Sequence, residues 1–137
     1  MNITVKEAGD YFRGLLLLIA KDRRISAEEV DLMHHVGKSL GFEKHFYENA
    51  ITEILENKFI VPLPPVFTSA ELARCFIRDG LKLAASDGEI HPFEEHFLQS
   101  TAELNELKQE WFDQEKNRAT LAGNRDTHLE VDNMVVT

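Results

Sequence analysis

Four carboxylates at a repeated spacing are the residues of this 137-residue chain best equipped for chemistry. Asp22 and Glu29 stand in the phrase Ala20-Lys21-Asp22-Arg23-Arg24-Ile25-Ser26-Ala27-Glu28-Glu29. Asp87 and Glu94 stand in Ala85-Ser86-Asp87-Gly88-Glu89-Ile90-His91-Pro92-Phe93-Glu94. Asp22 and Asp87, Ile25 and Ile90, and Glu29 and Glu94 are each separated by 65 positions. Paired carboxylates with turn carbonyls are hard oxygen ligands, which suit calcium, magnesium or manganese better than zinc. The second copy reproduces the back half of an EF-hand loop: a Gly at the turn, an Ile two residues on and a closing Glu. The first and third ligand positions of such a loop would fall on Leu83 and Ala85, or on Leu18 and Ala20 in the first copy. Aliphatic side chains cannot ligate calcium, so a standard EF-hand is excluded.

The same acids have a plain structural use. Glu29 lies three residues after Ser26, and Glu94 three after His91. That is the third position of a helix, where a carboxylate closes a capping box and favours the helix dipole. Asp22 and Asp87 can hold turn backbone at the preceding helix's end. If the acids only cap, Glu29 and Glu94 should accept hydrogen bonds from backbone N–H groups at the starts of their own helices. The residue pattern admits both uses.

The elements that must position these turns are helices. Lys6 to Lys21 is apolar around most of its circumference, through Leu15, Leu16, Leu17, Leu18 and Ile19, which predicts a buried central helix. A second helix opens at the Ser26 box and ends at Gly41. A third covers roughly Glu43 to Glu56, with a stripe of Phe46, Tyr47, Ala50, Ile51, Ile54 and Leu55. Pro62, Pro64 and Pro65 then exclude helix. Thr68-x-x-Glu71 is a capping-box pattern that opens a fourth helix, Pro92 suits the first position of a fifth, and Trp111 and Phe112 sit on a sixth. No useful length alternates with period two. The fold class expected is all-α: a compact bundle of about six helices in two pseudo-twofold-related helix–turn–helix halves. The domain spans residues 1–118, with halves at about 8–56 and 68–118 joined by a connector at 57–67. Residues 119–137 form a C-terminal tail with a flexible character, in which Val131, Met134, Val135 and Val136 offer a docked strand or a partner-binding segment.

Bulk composition narrows the partners. The net charge is −9, and Glu89 to Glu115 holds eight acids against Lys108 alone. Such a segment repels phosphate, so nucleic acid is excluded as a partner, and cations or a basic protein surface fit it better. One cysteine, Cys75, allows no internal disulfide, and its apolar neighbours mark it as a small buried hydrophobe. The apolar run from Leu15 to Ala20 is too short for membrane insertion, and no signal pattern opens the chain, so the expected location is cytoplasmic.

The two acidic phrases resemble the signature of the tellurite-resistance TerB-like family, whose members carry Ala-Ala-x-Asp-Gly-x-Ile-x-x-x-Glu between two helices, often twice. Ala84 to Glu94 matches closely, and Ile19 to Glu29 matches with the glycine replaced by Arg23. Leu40-Gly41-Phe42 resembles the family's ending of the helix after the first phrase. The likeness covers about residues 8 to 112. It implies a compact helical bundle, a non-enzymatic role in tellurite resistance and chemical stress, and protein partners often near the membrane. It also implies a divalent-cation site whose residues here are Asp22, Glu29, Asp87 and Glu94. Arg23 and Arg24 place positive charge beside Asp22, which leaves the second copy better suited to a cation.

Two other readings belong to different classes. His91-x-x-Glu94-Glu95-His96 approaches an inverted zinc-protease pattern, but the second His falls one residue too far along. His34 and His35, as helical neighbours, point about 100° apart. A catalytic site is therefore not expected. The remaining alternative is a structural or scaffolding bundle in which the repeat is simply a folding unit.

Overall fold

The structure, a computed structural model, describes residues 1–20, 25–57, 61–86, 88–122 and 128–137. Among them are six α-helices: α1 (Val5–Ile19), α2 (Ala27–Ser39), α3 (Lys44–Glu56), α4 (Ala70–Ala85), α5 (Pro92–Leu104) and α6 (Gln109–Ala122). A short 3-10 turn covers Glu130–Asn133. Two two-residue strands, β1 (Asn2–Ile3) and β2 (Val135–Val136), pair in parallel and join the chain ends. Among the described residues the fold is all-α apart from that pair.

The 65-residue offset governs whole elements. Shifted by it, the starts of α1, α2 and α3 fall on the starts of α4, α5 and α6. The caps shift with them: Thr4 and Ser69 cap the first helix of each half, Ser26 and His91 the second. The ends of α2 and α5 close identically, by hydrogen bonds from the Phe42 N–H to the Gly37 carbonyl and from the Leu107 N–H to the Ala102 carbonyl. Both closures need one residue in the left-handed region. The first half puts Gly41 there, at φ 81°, and the second puts Glu106, at φ 59°. A side chain at that conformation is strained, and glycine is not.

The bundle packs around the first helices of the two halves. α1 contacts α4, and each runs beside the second helix of its own half. Leu16, Leu18, Leu81 and Leu83, matched across the repeat, are all buried. Tyr11, Phe67 and Phe76 form a triangle of rings with centroids 5.2–6.0 Å apart. The connector is strapped over α1 at Gly14, where a Cβ would lie 2.7 Å from the Phe76 ring and 3.0 Å from Pro65.

Several local expectations need correction. The fourth helix is capped by Ser69, whose hydroxyl accepts from the Leu72 N–H, one residue later than the Thr68 pattern. Thr68 instead donates to Glu7, which closes the capping box of α1. Phe46 is 54% exposed and packs on Phe42 at 5.1 Å. One residue from Tyr47 around the helix, it lies outside the buried stripe of Tyr47, Ile51 and Ile54. Helix α6 continues past residue 118 to Ala122. Beyond it, Leu129, Val131 and Met134 are buried in the core, in place of the expected flexible tail; of the two roles offered for the segment, the docked strand is present, β2 pairing with β1.

Leu83→Ala is expected to cost about 2–5 kcal/mol in a denaturant unfolding titration, because a fully buried leucine leaves a cavity. Glu106→Gly is expected to raise stability by about 0.5–1 kcal/mol in the same measurement, the relieved strain being offset in part by unfolded-chain entropy.

Candidate functional site

The acidic turns are built on the helix starts. At α2, the Ser26 hydroxyl accepts from the Glu29 N–H at 3.1 Å, and the Glu29 carboxylate accepts from the Ser26 N–H at 3.0 Å. At α5, the His91 ring Nδ1 accepts from the Phe93 N–H at 3.2 Å, and the Glu94 carboxylate accepts from the His91 N–H at 3.0 Å. Pro92 takes the first position of α5. Glu29 and Glu94 are 1% and 0% exposed, so each carboxylate is buried at its own helix start, where it accepts from backbone. That is the capping geometry expected from the spacing. Asp22 and Asp87, the other halves of both turns, lie outside the described residues, as does Arg23. Gly88, within the second turn, has φ 95°, which satisfies the requirement for a glycine there. Among the described residues, no three His, Cys, Asp or Glu side chains stand together as a metal site would need.

The acids from Glu89 to Glu115 do not form one uniform face. Glu94 caps, Glu95 pairs with Lys116, and Glu115 is buried between Arg78 and Arg118. His96 is exposed on α5, and His91 is committed to its cap. Cys75 is buried, and burial pushes its thiol up to about 11. A thiol held neutral in this way is a poor nucleophile.

One buried polar group with three donors is a residue that the motifs did not single out. Asp79 sits in the middle of α4, fully buried. Its carboxylate accepts from the Tyr11 hydroxyl at 2.7 Å, the Glu130 N–H at 2.7 Å and the Val131 N–H at 3.2 Å. Burial pushes Asp79 up to about 6, against the lowering pull of these donors. Burial and the facing carboxylate also push the Tyr11 hydroxyl far above its ordinary value. The signal in the sequence was an aspartate within the inner face Leu72, Ala73, Phe76, Ile77, Leu83, where an unpartnered charge is not tolerated. Its repeat equivalent is Gly14, which shows the position to be specific to the second half.

Asp132, three residues beyond the segment's start at Leu129, binds the other side. It contacts His35 Nε2 at 2.6 Å and accepts from the Ser39 hydroxyl at 3.0 Å. Partial burial works against its ionisation, but the hydrogen bonds from His35, Ser39 and the Leu129 N–H outweigh it and hold Asp132 below its ordinary value. The C-terminal segment is thus anchored on α4, α2 and β1.

A cavity of about 350 Å³ opens between α4, α6 and this segment, lined by Arg78, Lys82, Glu115, Arg118 and His128 over Leu81, Ala119 and Ala122. A second, of about 520 Å³, lies between α1 and α3 and is lined by Phe12, Arg13, Leu16, Phe46, Glu53 and Ile54.

No protein-family model, no curated protein and no solved structure matches this chain.

Two outcomes test the buried carboxylate. Asp79 has a folded value of about 6 against an ordinary 3.8, so the folded state binds its proton more tightly than the unfolded chain does. Its contribution favours folding at low pH and is lost as pH rises from 3.8 through about 6. Unfolding free energy measured across that window should show this downward component, and Asp79→Asn should remove it. Tyr11→Phe deletes a donor that lowers the Asp79 value. It should cost about 1–3 kcal/mol and move the same component to higher pH.

Proposed function

We propose that this chain is a non-enzymatic, TerB-like binding module of the tellurite- and chemical-stress-resistance type. In this reading it works in the cytoplasm, takes a divalent cation at its acidic turns and engages a protein partner, basic or membrane-associated. The observation that supports the reading is the congruence of the two halves. The helix, acidic turn and capped second helix recur at one offset, with Glu29 and Glu94 placed identically. A repeated turn of this composition is the feature on which the likeness to that family rests. No helix among the described residues is long and apolar enough to cross a membrane, which agrees with attachment through a partner and not through insertion.

Within this proposal, Asp87 and Glu94 supply the ligand carboxylates, and Asp22 and Glu29 either complete the same site or serve a structural role. Because each Glu is buried and accepts from backbone, the ion would keep much of its water, and affinity would be weak.

A specific observation favours a second reading, the purely structural or scaffolding bundle. Both repeated glutamates already have the capping role that their spacing allows, and capping alone accounts for a carboxylate at that position.

Calorimetric titration separates the two. The binding reading expects uptake of calcium, magnesium or manganese at about millimolar concentration, lost in Asp87→Asn. If wild type and variant both take up no cation, zinc included, the structural reading stands.

A further inference from the structure

We propose that the cavity between α4, α6 and the C-terminal segment is a binding site for a small organic anion, a carboxylate or phosphate head carried on an apolar body. The repeat itself singles out this cavity. Arg78, on its wall, has the counterpart Arg13 in the first half, and Leu81 has the counterpart Leu16. The other ionic residues on the walls have no such counterparts. Lys82, Glu115 and Arg118 occupy the positions of Leu17, Ala50 and Glu53. The two halves keep the same backbone there and differ in charge, so the charges are not a requirement of the fold.

The arrangement of those charges suits an anion. Arg78, Lys82 and Arg118 face two carboxylates, Glu115 and Glu130, so the described residues of the lining are net positive on a protein of net charge −9. Glu115 is only 7% exposed. It accepts from Arg78 Nε at 3.3 Å and from Arg118 Nη1 at 3.3 and 3.4 Å, which draws both guanidinium groups to the wall. Arg78 is further held by the Trp111 ring, 5.5 Å beneath it, and lies 4.0 Å from Glu130. Lys82 donates to the His128 carbonyl and brings its ammonium to the same rim. A guanidinium held in this way presents a fork that matches carboxylate and phosphate geometry. The floor of Leu81, Ala119 and Ala122 is apolar and accepts the body of the ligand. A cavity of about 350 Å³ is within the range that encloses a small molecule. This inference stands apart from the acidic turns and from any cation there.

The test uses the full chain and four probes: phenyl phosphate, benzoate, inorganic phosphate and neutral benzamide, followed by calorimetry and by amide chemical shifts. Phenyl phosphate or benzoate is expected to bind with a Kd at or below about 10 mM, with shifts centred on Leu81, Ala119 and Ala122. Which of the two binds more tightly identifies the head group. Inorganic phosphate should bind more weakly, lacking the apolar body, and benzamide should not bind. Arg118 is 74% exposed in its side chain, so Arg118→Gln should fold as the wild type does and weaken binding by about tenfold. Lys82→Gln should weaken it as well. Glu53→Gln, at the matching place in the first half, should leave it unchanged. No binding of either organic anion would overturn the proposal. So would equal affinity for inorganic phosphate, which marks general counter-ion attraction, or affinities indifferent to Arg118→Gln and Lys82→Gln.

Discussion

The buried Asp79 carboxylate is the interaction on which the closed form of this molecule depends. A charge at the centre of a helical bundle is costly unless it is fully coordinated. Here the donors come from opposite ends of the chain: Tyr11 on the first helix, and the Glu130 and Val131 N–H groups of the last segment. The group that would otherwise destabilise the core therefore dictates where the C-terminus lies. Once that segment is seated, Leu129, Val131 and Met134 complete the core, Asp132 reaches His35 and Ser39, and β2 pairs with β1.

The comparison with the first half clarifies the design. Gly14 stands where Asp79 would be, and the connector, packed through Pro65, covers it by close apolar contact. Each half is thus followed by a segment that returns over its own first helix. In the first half the return meets Gly14 by shape, with no room for a Cβ, and is pinned by Asn105, which accepts from the Phe67 N–H and donates to the Pro65 carbonyl. In the second it is held by hydrogen bonds to a carboxylate. The same backbone plan accommodates either solution because both satisfy the exposed flank of the helix.

This asymmetry extends to the cavities. The first-half cleft between α1 and α3 is bordered by Phe12, Leu16, Phe46 and Ile54, with Arg13 and Glu53 as its charged residues. Its counterpart is rimmed by arginines, a lysine and a buried glutamate. Duplication supplies the frame, and divergence at the lining positions gives the halves different surfaces. The turns show the opposite behaviour, because Glu29 and Glu94 keep the same bonds in both copies.

Much of the fold was legible in the sequence because its signals are local. The capping boxes at Ser26 and His91, the stop at Gly41, the proline at the first position of α5 and the leucine-rich first helices each depend on a few neighbouring residues. The constant offset turned those local signals into a statement about two matching halves. The two turn aspartates were equally plain as residue types, but the capping role of Glu29 and Glu94 needed only a spacing of three. What the sequence could not supply was any pairing across long separations. That Asp79 meets Tyr11 and residue 130, that Glu115 sits between Arg78 and Arg118, and that the final strand lies beside the first are settled by which helix faces which. Periodicity marks a residue as inward-facing, but it does not say what it will meet there. Buried polar groups are satisfied by partners that only the packed structure brings within reach.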